Sequence, residues 1–212
     1  MPGASSYLET EVKVRVADLE AIRLRLDADP DAALAKPRVH EYNVRYEDAA
    51  GALTPAGVVL RLRRDAPVGG GAPRVRLTYK APAEAVSAGA STRFEAEVEV
   101  SDFEAMDLIL KRMGYHPYWV YEKYRTTYMV ADAEVVLDET PLGAFIEVEG
   151  APAAIEAALA RLALADAPRL LESYAVLFEN VRRNLGLPFN DMTFANLCGI
   201  DVPERAFAPP EG

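Results

Sequence analysis

Charged and apolar residues alternate along much of this chain with the two-residue period of a β-strand. In the stretch 7–15, YLETEVKVR, two acids and then two bases share one side, while mainly apolar residues share the other. The pattern predicts eight strands, at residues 8–16, 39–46, 58–64, 74–80, 93–100, 118–130, 134–139 and 144–149. Because short turns join most neighbouring strands, we predict a largely antiparallel sheet.

Four further segments carry helix signals. Asp18 is a predicted N-cap for a helix that reaches about residue 27, and Pro30 ends it. S101-D-F-E104 has the spacing of a capping box before a helix that reaches about residue 113. Ala-rich and periodic apolar sequence predicts two more helices, at residues 152–164 and 168–185. The pattern therefore predicts an α+β fold.

The apolar side of the strands can be buried in two ways. In the first arrangement, it forms the core and the charged side meets water, as in many antiparallel sheets. In the second, the sheet closes into a barrel with charge inside, and the helices cover its apolar exterior. Buried charges are costly unless they are paired or bound to a ligand. The near absence of Ser, Thr, Asn and Gln from the charged positions favours the second arrangement, but the residues alone leave both open.

Composition excludes several classes of protein. The chain has 212 residues, a net charge of −10, one cysteine and two histidines. It therefore lacks the overall basic footprint of a nucleic-acid-binding protein, and it has too few ligands for a cysteine-based zinc site or a histidine-rich metal site. The sequence contains neither a P-loop nor a G-x-S-x-G motif.

The distribution of charge adds three expectations. The longest stretch without a charged residue has twelve residues, 49–60, which is too short to span a membrane. No apolar leader precedes Glu9, so we expect a cytoplasmic protein. Six cations against one acid lie between Arg61 and Lys80, which indicates a small anionic ligand, with a solvated basic face as the alternative.

Six motifs, in order, resemble those of the CYTH family, the triphosphate tunnel metalloenzymes. E9-T-E-V-K13 resembles its ExExK signature. The others are L60-R-L-R63, L77-T-Y-K80, F94-E-A-E-V-E99, E122-K-Y-R125 and V136-L-D-E-T-P-L-G-A-F-I-E-V-E149, with S173-Y174 resembling the closing Ser-Tyr. The resemblance covers residue 7 to about residue 185, and it is greatest to the branch that contains class IV adenylate cyclases.

The resemblance implies an eight-stranded antiparallel barrel that forms a tunnel with a charged interior and helices outside. It implies a triphosphate held by cations, namely Lys13, Arg61, Arg63, Arg76, Lys80, Lys123 and Arg125. It implies Mg²⁺ or Mn²⁺ held by acids, namely Glu9, Glu11, Glu147 and Glu149, with Asp138. Lys13 and Asp138 are the predicted catalytic residues. Glu95 and Glu97 are predicted to hold the arginines in place, while Arg76 and Lys123 could equally form salt bridges to facing acids.

Two enzymatic functions and one binding function are consistent with these residues. The preferred one is hydrolysis of tripolyphosphate, ATP or thiamine triphosphate, in which water attacks the terminal phosphorus. The alternatives are cyclisation of ATP by attack of the ribose 3′-hydroxyl on the α-phosphorus, and a sensor that binds triphosphate or polyphosphate without catalysis. We predict no nucleic-acid or membrane partner.

The resemblance defines a domain at residues 1–186 and leaves a C-terminal tail at residues 187–212. The tail contains Phe189, Met192, Phe194, Leu197 and Ile200, which are apolar enough to pack against other residues. Two roles are considered for it: covering one mouth of the tunnel, or pairing with a second subunit in a homodimer.

Overall fold

A computed structural model describes residues 8–82 and 91–209, without the side chains of residues 8, 9, 91 and 92. The sequence at residues 81–91 is rich in Ala, Gly and Ser and predicts a loop, which lies mostly outside the described residues. Nine strands are described: β1 (Leu8–Val16), β2 (Ala32–Glu47), β3 (Val59–Pro67), β4 (Arg74–Pro82), β5 (Ser91–Val100), β6 (His116–Val130), β7 (Ala133–Thr140), β8 (Gly143–Glu149) and the two-residue β9 (Arg169–Leu170).

Residues 8–82 and 91–209 also contain four α-helices: α1 (Leu19–Ala28), α2 (Phe103–Arg112), α3 (Pro152–Arg161) and α4 (Tyr174–Leu185). Capping explains where three of them begin. Asp18, Asp102 and Ser173 each accept a hydrogen bond from a backbone N–H in the first turn. Within residues 8–82 and 91–209, no helix is long and apolar enough to cross a membrane.

The eight long strands pair in a cycle. Their order is β5-β4-β3-β2-β6-β7-β8-β1, and β1 also pairs with β5, so the sheet curls back onto itself. Every pairing between named strands is antiparallel. The predicted α+β fold, with its antiparallel strands around a tunnel, is confirmed.

The charged side of the sheet faces inward. On β1, Lys13 lies in the central cavity, whereas Val12 and Val14 are buried outside it in a core with Ile155 and Leu159 of α3. A second exterior core packs Leu110 of α2 against β2 and β3. Helices therefore bury the apolar exterior, and the arrangement with a charged interior is confirmed.

Two predicted boundaries were wrong. The single helix at residues 168–185 is divided into β9 and α4, because Leu170 pairs with Lys13 of β1 and Ser173 caps a new helix. The N-cap of α2 is Asp102 rather than the Ser101 of the predicted capping box. Leu170 and Leu171 fit a helical stripe as well as a strand, so periodicity alone could not separate the two.

Strand β2 begins seven residues earlier than predicted. It includes Pro37, which has no backbone N–H to donate, and the pairing with β6 shifts register between Lys36 and Val39. A register shift of this kind lets a strand accommodate a proline. The sequence signal was hidden because the proline and the weak alternation before it are typical of a loop.

The tail packs against its own chain along residues 187–209. Met192 forms a parallel bridge to Tyr121 of β6, with N–O distances of 3.0 Å to and from the flanking residues. Its side chain is fully buried in a cluster with Trp119 and with Phe178 of α4. The tail thereby fixes α4 against β6, and the first residues of α4 form part of the cavity wall. The two roles considered for the tail stay predictions.

Replacing Met192 by Ala is expected to lower the free energy of unfolding by about 2–5 kcal/mol, because it leaves a cavity between the tail, α4 and β6. Urea unfolding followed by tryptophan fluorescence measures the change. Met113→Ala is the control, since that side chain is 67% exposed and its loss is expected to cost no more than about 0.5 kcal/mol. Equal midpoints for the two variants would show that the tail adds nothing to stability.

Candidate functional site

The ring of strands encloses a cavity of about 590 Å³, and charged side chains dominate its wall. Its cations are Lys13, Lys36, Arg45, Arg61, Arg63, Arg74, Arg76, Lys80, Arg93, Lys123 and Arg125. Its acids are Glu11, Glu41, Asp65, Glu95, Glu97, Glu134, Glu147 and Glu149. Among the described residues, the cations outnumber the acids, so a protein with a net charge of −10 has a positive interior.

Asp138 of β7 is the centre of one ion-pair network. Its side chain is fully buried and accepts hydrogen bonds from Lys123 at 2.8 Å and from Arg125 at 2.7 and 2.6 Å. The hydroxyl of Tyr174, at the start of α4, donates a further bond at 2.9 Å. Burial raises the pKa of Tyr174 well above its ordinary value, and the Asp138 carboxylate adds to this effect. The phenol is therefore a fixed donor at the carboxylate.

Lys13 connects this network to β8. Its ammonium lies 3.4 Å from the carboxylate of Glu147 and 4.4 Å from the centre of the Tyr174 ring. Burial alone would raise the pKa of Glu147, but nearby cations, Lys123 and Lys13 first among them, hold it well below its ordinary value. Glu147 is thus an anion whose charge is already balanced by protein cations.

A second network surrounds Arg63 of β3. Its guanidinium lies 3.3 Å from Glu41 and 3.2 Å from Glu97. Glu97 also accepts hydrogen bonds at 2.8 Å from Arg76 and from Thr78. Burial would raise the pKa of Glu41, but Arg63 and other cations lower it well below its usual range. These acids orient the arginines of β3 and β4, and Lys80 is paired with Glu95 in the same way.

Arg61 differs from these cations because neutral groups take most of its hydrogen bonds. It donates to the hydroxyls of Tyr121 at 3.1 Å and Thr78 at 3.3 Å, and its nearest carboxylate oxygen, on Glu97, is 3.9 Å away. Burial raises the pKa of the Tyr121 phenol, yet the charges of Arg61 and Lys123 outweigh it and lower that pKa. An anion could replace these neutral acceptors at little cost in broken ion pairs.

Three carboxylates form a row across neighbouring strands. Glu149 of β8 is the cross-strand partner of Glu11 on β1 and of Glu134 on β7. Burial raises the pKa of Glu149 to about 7, and the like charges of Glu134 and Glu11 contribute. Like charges directly opposite each other destabilise a sheet. In this carboxylate row (Glu11, Glu149 and Glu134), Glu134 pairs with the exposed Lys36, whereas the cross-strand partners of Glu149 are both acids.

The carboxylate row fits a hard divalent cation. Mg²⁺ and Mn²⁺ prefer oxygen ligands, and Mg²⁺ commonly takes only one or two carboxylates together with substrate phosphates and water. In the part of the chain that the structure describes, no three His, Cys, Asp or Glu residues converge into a complete protein-only site. The residues present therefore fit a cation that is shared with a bound phosphate.

The structure brings most of the predicted site residues into one cavity. The predicted cations Lys13, Arg61, Arg63, Arg76, Lys80, Lys123 and Arg125 all line it, together with the predicted acids Glu11, Glu95, Glu97, Glu147 and Glu149. Asp138 lies behind the wall, bonded to Lys123 and Arg125. The backbone of Glu9 is in β1, but its side chain lies outside the described residues. Their roles remain predictions.

Several lining residues were not singled out from the sequence. Arg45 and Glu41 lie on β2, Arg93 on β5 and Glu134 on β7. The available signal was the same alternation: Arg93 stands two residues before Glu95, and Glu134 stands four residues before Asp138. The alternation on β2 is a weaker signal, because the neutral Asn43 interrupts its charged positions and the strand does not resemble a family motif.

The sequence profile of the CYTH domain matches residues 8–175. No curated protein matches the chain in sequence. A structure from Vibrio parahaemolyticus, described as a candidate adenylate cyclase, is similar with a TM-score of 0.66 and 21% sequence identity, over 79% of this chain and 95% of that chain. A protein from Pyrococcus horikoshii OT3 is similar with a TM-score of 0.65 and 25% identity, over 78% of this chain and 95% of that chain.

A third solved structure is a candidate adenylyl cyclase from Hippeastrum, described as having a dominant triphosphatase activity. It is similar to this chain with a TM-score of 0.58 and 20% identity, over 81% of this chain and 95% of that chain. At these identities the likeness shows a shared fold.

Proposed function

Because the chain belongs to the CYTH domain family, we propose that it is a divalent-metal-dependent enzyme that hydrolyses inorganic or organic triphosphates. The observation that carries this proposal is a ring of strands around a cavity in which the described cations outnumber the described acids. A linear triphosphate is a compact anion of high charge, and it would balance that excess of cations. A long polyanion would instead need a basic surface, which the overall charge of −10 does not favour.

The proposed phosphate cradle consists of Lys13, Arg61, Arg63, Lys80 and Arg125, with Arg76 and Lys123. Guanidinium groups offer forked donors that match phosphate oxygens, whereas an ammonium acts as a point charge. The carboxylates of Glu41, Glu97 and Asp138 hold most of these cations in fixed positions before a ligand arrives. Such preorganisation lowers the free-energy cost of ordering side chains on binding.

The proposed metal ligands are Glu11 and Glu149, with Glu134 beside them and Glu9 two residues before Glu11 on the same strand. Glu147 was also predicted as a ligand, but its charge is already balanced by Lys13 and Arg125, so it suits a supporting role. When bound, Mg²⁺ or Mn²⁺ would polarise a phosphoryl oxygen as a Lewis acid. The carboxylates would hold that ion at the edge of the phosphate cradle.

In the proposed reaction, water forms a bond to the terminal phosphorus and loses a proton to solvent. The bond from that phosphorus to the bridging oxygen breaks, and its electron pair stays with the departing diphosphate. Lys13 is the proposed catalytic residue, because its buried ammonium can neutralise charge that develops on the phosphate oxygens. Asp138 is proposed to act through Lys123 and Arg125, whose donors it orients. It is thus a positioning residue rather than a direct participant.

Cyclisation of ATP is the second candidate function, and L77-T-Y-K80 is the sequence feature that favours it, through its likeness to the cyclase branch. The same cradle would hold the phosphates, but a ribose hydroxyl would attack the α-phosphorus and pyrophosphate would leave. That reaction additionally needs a nucleoside pocket. Hydrolysis requires only the phosphate and metal contacts already named, so it is the first proposal.

Product analysis separates these functions. The protein is incubated with Mg²⁺ or Mn²⁺ and, in turn, with tripolyphosphate, ATP and thiamine triphosphate, and the products are resolved by ion-exchange chromatography. We expect orthophosphate together with the corresponding diphosphate, and no turnover when EDTA replaces the metal. Cyclic AMP and pyrophosphate from ATP would overturn the hydrolase proposal, and tight binding without turnover would favour a sensor.

A further inference from the structure

Three arginines that line the cavity were not assigned a role from the sequence, and one of them, Arg74, pairs with Glu99. Arg45 lies on β2 directly opposite Arg61 of β3, and Arg93 lies on β5. Both line the cavity and are partly buried. They differ from the arginines of the two ion-pair networks in what surrounds them.

Neither arginine has a carboxylate within 4 Å among the described residues. Arg93 donates to the backbone carbonyl of Gly57, and Arg45 stacks near the rings of Tyr118 and Trp119, at 5.3 and 5.7 Å from their centres. The Nε–H groups of both arginines are buried without a hydrogen-bond acceptor in the described structure, a state that they share with Arg61, Arg63 and Arg76. Glu9 is the cross-strand partner of Arg93, but its side chain is not described.

The two guanidinium groups also affect each other. Burial lowers the pKa of Arg93, and the charge of Arg45 lowers it further, while Glu11 and Glu95 act in the opposite direction. Two partly buried cations that repel each other have an unfavourable electrostatic energy. An anion that bridges them would relieve the repulsion without first displacing a carboxylate, unlike an anion that binds Arg63 or Arg125.

The positive charge of Arg45 and Arg93 indicates which phosphate group of a ligand they would bind. A terminal phosphate group carries about 1.5–2 negative charges near pH 7 and three acceptor oxygens. A bridging phosphate in the middle of the chain carries one fewer free oxygen and less charge. Two forked cations without carboxylate partners therefore suit the terminal group better than a middle one.

We propose that Arg45 and Arg93 form a subsite for the terminal phosphate of a linear triphosphate. This inference rests on the proposed function, since it adds a specificity determinant to the same cavity. It also predicts that this subsite contributes to the binding of tripolyphosphate but not of trimetaphosphate. Linear tripolyphosphate has terminal phosphates, whereas cyclic trimetaphosphate has three phosphates and none that is terminal.

The test measures binding of tripolyphosphate and trimetaphosphate by isothermal titration calorimetry, with EDTA present so that turnover does not interfere. Arg45→Gln and Arg93→Gln are each expected to raise the Kd for tripolyphosphate by about tenfold or more, as for loss of a charge-assisted hydrogen bond. The Kd for trimetaphosphate is expected to change by less than about twofold. Arg45→Lys retains the charge and is expected to recover part of the loss.

Arg64→Gln is the matched control. Arg64 also stacks on two aromatic rings, those of Tyr42 and Phe103 at 5.5 and 5.3 Å, but it does not line the cavity. If Arg45 served only to pack against aromatic rings, Arg45→Gln and Arg64→Gln would lower the melting temperature alike and leave both Kd values unchanged. We expect Arg64→Gln to bind both anions as the wild type does.

The results distinguish failure of the subsite from failure of the proposed function. Normal tripolyphosphate binding by Arg45→Gln and Arg93→Gln, or equal losses for the two anions, would overturn the subsite while wild-type hydrolysis still stands. Selective loss of tripolyphosphate binding in a protein that shows no turnover would keep the subsite and reject the hydrolase. A wild-type protein that binds neither anion in EDTA and turns over no triphosphate with Mg²⁺ or Mn²⁺ would overturn both.

Discussion

Replacing Glu11 by Gln is expected to reduce hydrolysis of tripolyphosphate by at least about 100-fold. Even groups that only support a metal ligand cost roughly 10–100-fold when they are removed, so loss of a ligand should cost more. Glutamine keeps the size of the side chain but removes the negative charge that a hard cation requires. The effect should appear as a higher metal concentration for half-maximal activity as well as a lower kcat.

The same substitution is expected to leave the protein folded. In residues 8–82 and 91–209, Glu11 forms no ion pair, and its cross-strand neighbour Glu149 is a like charge. Removing one of two facing acids relieves repulsion, so the melting temperature should stay the same or rise. Glu99→Gln is the control, because Glu99 lies on β5 but pairs with the exposed Arg74. Undiminished rates in Glu11→Gln would reject the metal assignment.

Replacing Asp138 by Ala is expected to have the largest effect on stability, about 3–5 kcal/mol of unfolding free energy. Its side chain is fully buried and bonded to Lys123, Arg125 and Tyr174. Removing the acid leaves the buried Lys123 and the partly buried Arg125 with less compensation, which is far more costly than the loss of an exposed pair. Urea unfolding measures the change.

Glu134→Ala is the matched control on the same strand. Glu134 is partly exposed and pairs with the exposed Lys36, so its loss is expected to cost less than about 1 kcal/mol. Tripolyphosphate should restore part of the stability of Asp138→Ala, since an anion that binds the folded state stabilises it by mass action. An Asp138→Ala variant as stable as Glu134→Ala would contradict the proposed positioning role.

The strands of the barrel could be predicted because their alternation is strong. From residue 58 to residue 149, every predicted strand corresponds to an observed one, with ends shifted by a few residues. Prediction failed where local signals were ambiguous. Pro37 suggested a loop although a register shift accommodates it in β2, and Leu170 fitted a helical stripe although β1 binds its backbone. In both cases, pairing with a distant strand determined the backbone conformation. Local sequence does not encode such pairing directly.

The sequence predicted which residues line the cavity better than it predicted which of them form ion pairs with one another. The motifs, together with the alternation along the strands, identified seven cations, and all of them line the cavity. They did not indicate that Asp138 would hold Lys123 and Arg125, or that Glu147 would be balanced by Lys13. These pairings join side chains from different strands, and their geometry depends on the curvature and register of the closed sheet.

The sequence by itself determined that each strand has one charged and one apolar side, because the two-residue period is a property of the extended backbone. Only the tertiary structure decided that the charged side faces inward, since helices from distant parts of the chain bury the apolar exterior. It also decided which charges are balanced. Glu147 has cations beside it, whereas Glu11 and Glu149 face each other, and Arg45 and Arg93 have no described carboxylate partner. Electrostatic energy depends on these distances, and distances across a barrel are fixed only when it closes.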